Sequence, residues 1–505
     1  MTTNDDFIRV ITEGYASKGD SILLGSAMLN GDPLPNAQVK IPLKTLNRHG
    51  LIAGATGTGK TKTIQVLSEQ LSSFGIPVLM MDIKGDFSGI AKKGDEKPFI
   101  TERHAKINIP YTVSSFPVEL MSLSQQSGVR LRATVSEFGP VLFSRILNLN
   151  DVQAGVVSVI FKYCDDHKMP LLDLKDIKKV INYITEEGKA EIEENYGKIS
   201  ASTTGTILRK IIELEQQGAE LFFGEMSFDI NDLLRFDENG KGYVNIIRLT
   251  DIQDKPKLFS TFMLSLLAEI YQQMPEKGDA DQPELVLFID EAHLIFNEAS
   301  KTLLDQIETI VKLIRSKGIG VFFITQNPMD VPSGVLAQLG LKIQHALRAF
   351  TANDRKSIQM TADNYPTSEF YKTDELLTSL GIGEALVTAL NEKGIPTPLA
   401  ATMIRAPQSR MDILTETEIA EVNANSKLVR KYSEIIDRES AYEMLNKKIT
   451  TETAQAEQKQ EQAAQEKEDN KPIELSPVAK SAIKVLTSAT FIRGAFSILS
   501  KIFKK

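Results

Sequence analysis

Residues 51–64, LIAGATGTGKTKTI, decide the fold. A short apolar run enters a glycine-rich loop, and the helical pattern TKTIQVLSEQLSSFG (61–75) leaves it. The loop, GATGTGKT at 54–61, matches G-x-x-x-x-G-K-[ST] in full. Gly54, Ala55, Thr56, Gly57, Thr58, Gly59, Lys60 and Thr61 are therefore the candidate nucleotide-binding residues. The three glycines let the backbone bend so that successive N–H groups face one anion-sized hollow. Lys60 is expected to reach the β- and γ-phosphates, and the Thr61 hydroxyl to ligate Mg2+. The helix starting near Lys60 adds its positive N-terminal end. IPVLMMDI (76–83) reads as the next strand, so strand, helix and strand form a βαβ unit with parallel pairing and a right-handed crossover.

A second stretch, ELVLFIDEAH (284–293), ends a buried strand in two carboxylates. Asp290 is the candidate for the Mg2+ shell. Glu291, pointing the other way along the pleat, is the candidate to polarise a water towards a γ-phosphate. A glutamate next to the metal aspartate argues for hydrolysis over transfer to a small molecule. VFFITQNP (321–328) places Gln326 at a third strand end, where its amide either touches the γ-phosphate or attacking water, or sits in a solvated turn. Arg315, in KLIRSKG, is either a helix-end cation expected from the helix dipole or a finger reaching a neighbouring subunit's site. Arg348 and Arg355 compete for that finger role. MDIKGD (81–86) offers Asp82, expected beside the phosphate loop, and Lys84, either coupled to the site or part of a plain polar turn.

Outward from these motifs the chain of 505 residues divides by composition. Residues 1–45 read as a small β-rich segment, 46–112 as the first part of an α/β core, and 113–236 as a helical insertion. The α/β alternation returns over 237–445, with near-continuous apolar strands that suggest a mostly parallel sheet covered on both faces. Residues 446–475 hold almost no large apolar side chains and read as a solvated polar linker, helical in part at most. Over 476–505, Val485, Ala489, Ile492, Phe496, Leu499 and Phe503 form one stripe of a basic amphipathic helix. That tail either docks on a core, its own, a neighbour's or a protein partner's, or lies on an anionic membrane surface.

Composition excludes several classes. The 58 Lys+Arg against 66 Asp+Glu give a formal charge of −8, so no strongly basic nucleic-acid-binding balance is present. The single cysteine, Cys164, excludes a disulfide framework or a cysteine-cluster metal site and fits a reducing compartment. No secretory leader and no run of 18 apolar residues is seen, so no transmembrane segment and a cytoplasmic location are expected. DEAH at 290–293 brings a DEAH-type helicase to mind, but no recognisable second RecA-like half follows it, and His293 reads as an ordinary residue after the strand.

RHGLIAGATGTGKT, MDIKGDFSG, FIDEAHLIF, ITQNP and HALRAFTANDRK together resemble the bacterial HerA-like P-loop ATPases of the DUF853 (YjgR-like) branch, which are related to the HerA and FtsK translocases. SEFGPVLFSRILNLN and MIRAPQSRM extend the resemblance over roughly residues 20 to 440. It implies a RecA-like ASCE core with ATP and Mg2+ at the interfaces of a homohexameric ring. It also implies working roles for Lys60, Thr61, Asp290, Glu291, Gln326 and an interface arginine, with double-stranded DNA as the client. A protein-remodelling or secretion-type motor is the alternative, and the acidic composition and tail suit it.

Overall fold

The computed structural model describes residues 3–469 except 279, 298–300, 435 and 437. The basic tail at 476–505 lies outside the described residues. By its internal contacts the chain divides into two units, residues 1–444 and 445–505.

The first unit is built on one twelve-stranded sheet. In chain order its strands are β1 (Ser21–Leu29), β2 (Asp32–Pro42), β3 (Gly50–Ala53), β4 (Val78–Asp82), β5 (Val118–Ser122) and β6 (Val129–Arg130). They continue with β7 (Val244–Arg248), β8 (Leu285–Ile289), β9 (Ile319–Thr325), β10 (Leu341–His345), β11 (Glu384–Thr388) and β12 (Ala400–Ile404). The spatial order is β2-β1-β12-β11-β10-β3-β9-β8-β4-β7-β5-β6. From β10 to β6 every pairing is parallel, while β11, β12, β1 and β2 form an antiparallel wing. The central strands β3, β9, β8 and β4 are buried along their whole length, as expected of a parallel sheet; Ile52, Met80, Val286, Phe288, Phe322 and Ile246 share one core with Ile64 and Leu67 of the helix Lys60–Ser73.

Three expectations differ from what is found. The N-terminal segment starts with a helix, Thr3–Gly14, and its hairpin joins the main sheet through β12 rather than standing apart. That hairpin turns at Asn30 and Gly31, both at positive φ (53° and 88°), which matches the twist of the flanking strands. Within the stretch read as helical, β5 and β6 first extend the core sheet beside β7. The insertion helices then run from Val135–Ile146 to Ala201–Gln216. VELMS is too short an apolar run for its period to declare a strand. The polar stretch continues the helix Ala441–Asp469 and is exposed from Thr450 to Gln460, because Ala, Glu, Gln and Lys are strong helix formers even without a core. Among the described residues no helix is long and apolar enough to cross a membrane.

Candidate active site

Parallel strands align their C-terminal ends at one sheet edge, and there the loops after β3, β9, β8 and β4 meet. Registers place Ala53 beside Thr325, Phe323 beside Ile289, and Ile289 beside Met81. The order β3-β9-β8-β4 corrects one expectation: Asp82 flanks the Asp290–Glu291 strand, and two strands separate it from the phosphate-loop strand.

The phosphate loop is pinned on both sides. The Gly54 N–H donates to the Thr325 carbonyl (3.3 Å) and the Ala55 N–H to that of Ala346 (2.9 Å). The Thr58 hydroxyl donates to the Ala55 carbonyl (2.7 Å), and the Gly383 N–H donates to the Thr58 carbonyl (2.9 Å). Gly54 (φ 149°) and Gly59 (φ 114°) hold backbone conformations that side chains rarely adopt, and a Cβ on Gly54 would stand 2.6 Å from the His345 Cβ. Lys60 begins the helix Lys60–Ser73 and donates to the loop's own carbonyls at Gly54 (2.6 Å) and Ala55 (3.1 Å). Burial lowers the pKa of its ammonium, nearby Lys84 lowers it further, and Glu291 and Asp290 oppose both. Lys60 thus lies within electrostatic reach of the carboxylate pair 230 positions later in the chain.

Asp290 and Glu291 sit just beyond the last residue of β8, so a turn rather than the strand's pleat aims them. Glu291 takes a left-handed backbone at φ 48°, and the Ala292 N–H donates to the Ile324 carbonyl (2.8 Å) to close the turn. Burial and then the neighbouring Glu291 push the Asp290 carboxyl up to about 7, against the pull of Lys84. Glu291, buried, pairs through Oε1 with Lys84 Nζ. His293 Nδ1 lies 3.2 Å from Oε2, which accepts no hydrogen bond among the described residues. His293 therefore borders the site.

Gln326 follows β9, between the two motif strands, exposed and accepting a long hydrogen bond from the Thr56 hydroxyl (3.4 Å). Arg315 is not brought to this edge. It precedes β9 and stands exposed at the opposite end of the strands, near His49. Arg348 and Arg355 are both exposed; Arg348 lies two residues past Ala346, which anchors the phosphate loop.

Sequence reasoning missed three supports. His345, buried at the end of β10, contacts the Thr63 hydroxyl through Nε2 (3.0 Å) and the Glu384 carbonyl through Nδ1 (2.9 Å). Arg103 donates to the carbonyls of Ile382 (2.6 Å), Gly383 (3.1 Å) and Ile404 (3.0 Å), fixing the turn that touches Thr58. Glu69, buried on the phosphate-loop helix, accepts from the Gln408 and Ser409 N–H groups (2.8 and 2.9 Å). That last bond ties the APQS segment down. None carries a local motif that the sequence alone would single out.

A family model described as "Helicase HerA-like C-terminal" matches residues 27–493. The chain is 23% identical over 358 residues to the DNA double-strand break repair helicase HerA of Sulfolobus acidocaldarius, covering 70% of this chain and 64% of that protein. It is 25% identical over 403 residues to the protein of the same name from Sulfurisphaera tokodaii, covering 77% and 69%. The chain thus spans about two thirds of the length of these relatives. Among solved structures, the bacterial conjugative coupling protein TrwBdeltaN70 shares the fold, with a TM-score of 0.52 at 16% identity over 81% of this chain and 95% of that one.

Proposed function

The chain belongs to the helicase HerA-like C-terminal family, and on that premise we propose that it is a Mg2+-dependent ATPase working as a homo-oligomeric ring, a hexamer, that moves double-stranded DNA. The observation that carries this reading is the convergence of the Lys60 cradle and the Asp290–Glu291 turn at one sheet edge. In it, the backbone N–H groups of the loop and Lys60 bind the triphosphate, and Lys60 exchanges its two carbonyl partners for phosphate oxygens. Thr61 and Asp290 supply the hard oxygen donors that Mg2+ takes, and the buried, crowded Asp290 carboxyl is a group that a cation would relieve. When bound, the ion withdraws charge from the phosphate oxygens. Glu291 orients the attacking water and accepts its proton, Gln326 contacts the terminal phosphate, and Arg315 of one subunit completes the site of the next.

The relatives' printed names support a DNA client over a protein one. A cytoplasmic place of work goes with both substrates. A chain of net charge −8 meets DNA through local lysines and arginines repeated around a ring, so binding is salt-sensitive. The test compares the ATPase rate with duplex DNA, single strands, RNA and no nucleic acid, at two salt concentrations. Duplex DNA is expected to stimulate at low salt and to lose most of that effect at high salt. A rate indifferent to duplex at low salt refutes the client.

A further inference from the structure

Lys84 has no part in the chemistry above, yet its position is set from two sides. Behind it, the buried Asp82 carboxylate accepts three successive backbone N–H groups, from Gly85 (2.7 Å), Asp86 (3.0 Å) and Phe87 (3.2 Å). This closes a tight turn around Lys84. In front, Lys84 Nζ pairs with Glu291 Oε1. The same ammonium acts on Asp290 and repels Lys60, so it stands within reach of both halves of the site.

This pair has a chemical consequence. While Lys84 holds Oε1, one of the two oxygens of the carboxylate that must receive the water's proton is taken, and the ammonium holds that carboxylate in place. Lys60, Lys84, Asp290 and Glu291 balance in formal charge, so a triphosphate entering among them brings excess negative charge. Lys60 is buried against the loop, whereas the Lys84 side chain is 40% exposed and has room to swing.

We propose that Lys84 senses the third phosphate: it pairs with Glu291 while the terminal-phosphate position is empty, and transfers to the γ-phosphate when that position fills, freeing Glu291 for water. This rests on the ATPase reading and deepens it by naming the residue through which the site distinguishes triphosphate from diphosphate. A charge-assisted contact is gained in one nucleotide state and absent from the other.

The test is equilibrium binding of ADP and of the non-hydrolysable analogue AMP-PNP to the full chain with Mg2+. For Lys84→Ala, ADP affinity is expected to stay within about two-fold of the parent while AMP-PNP affinity falls about ten-fold, the size of a hydrogen bond between charged groups. Lys84→Arg is expected to recover most of that loss. Glu291→Gln removes the resting partner and is expected to bind AMP-PNP more tightly than the parent, a gain absent from the Lys84→Ala/Glu291→Gln double variant. Equal losses for both nucleotides in a variant that melts at the parental temperature, or no loss for either, overturn the proposal and leave the ATPase reading standing. Should Lys84→Ala melt early, Lys84→Gln takes its place. A parent chain that binds neither nucleotide overturns both.

Discussion

At Glu291 the backbone takes φ 48°, a left-handed conformation that costs an L side chain about 1–2 kcal/mol. A glycine would hold the turn more cheaply, so the carboxylate is retained against local preference, as happens where geometry serves chemistry. If Glu291 is the base, Glu291→Gln should still bind ATP while its kcat falls about 100-fold or more. Lys60→Ala should instead fail at binding, seen as a large rise in the ATP dissociation constant. A Glu291→Gln chain turning over at the parental rate means another group takes the proton. Lys60, Asp290 and Glu291 were legible in the sequence because each belongs to a local string whose flanks declare strand or helix. Arg103 was not. Its partners lie 279, 280 and 301 positions away, and a lone arginine in a surface helix gives no sign of holding three carbonyls. Coupling of Lys84 to the site was one of the two readings its turn allowed, and the pair with Glu291 is that reading; which carboxylate it meets depends on strand order and was not legible.

Among the elements, the helix Pro256–Gln273 places Glu269 beside an apolar cavity bordered by Phe222, Phe228 and Phe262. Burial, and then the charges of Glu137 and Asp229, raise its carboxyl to about 7, against a weak opposing hydrogen bond from Gln273. A carboxyl whose folded pKa is raised contributes its stability below the ordinary value of 4.5 and loses it as pH climbs to about 7. Above that range the native state carries a poorly solvated charge. Glu269→Gln is therefore expected to raise the melting temperature at pH 8 and to change it little at pH 5. An equal shift at both pH values would mean packing, not ionisation, is what the variant alters. Period and turn chemistry announced most elements around the site, and β8 and β9 stood out as unbroken apolar runs. Strand order did not, because the sequence contains no record of which parallel strands become neighbours. Asp82 was accordingly expected at the phosphate loop and is found across β9 and β8 from it.

For the whole molecule, the distribution of charged groups along the sheet sets what one chain can do alone. β9 runs from Ile319 to Thr325, and at about 3.3 Å per residue its ends stand roughly 20 Å apart. Gln326 lies at one end with the phosphate loop and Arg315 at the other, so Arg315 and the loop of the same chain do not share a substrate. If Arg315 serves catalysis, it serves a neighbour, through a head-to-tail interface of the kind that closes into rings. Arg315→Ala should then bind ATP normally and lose about 1000-fold or more of its turnover, the usual worth of an arginine at a transferring phosphate. Lys60→Ala subunits are equally inactive but still carry Arg315. Mixing and reassembling the two inactive chains one-to-one pairs intact nucleotide sites with intact arginines at about a quarter of random head-to-tail interfaces, so about a quarter of the parental rate should return. Recovery of that size requires a ring whose sites are shared between subunits. Absence of recovery, with each variant still able to assemble, removes Arg315 from the site and passes the role to Arg348, two residues past the Ala346 carbonyl that anchors the phosphate loop, or to Arg355.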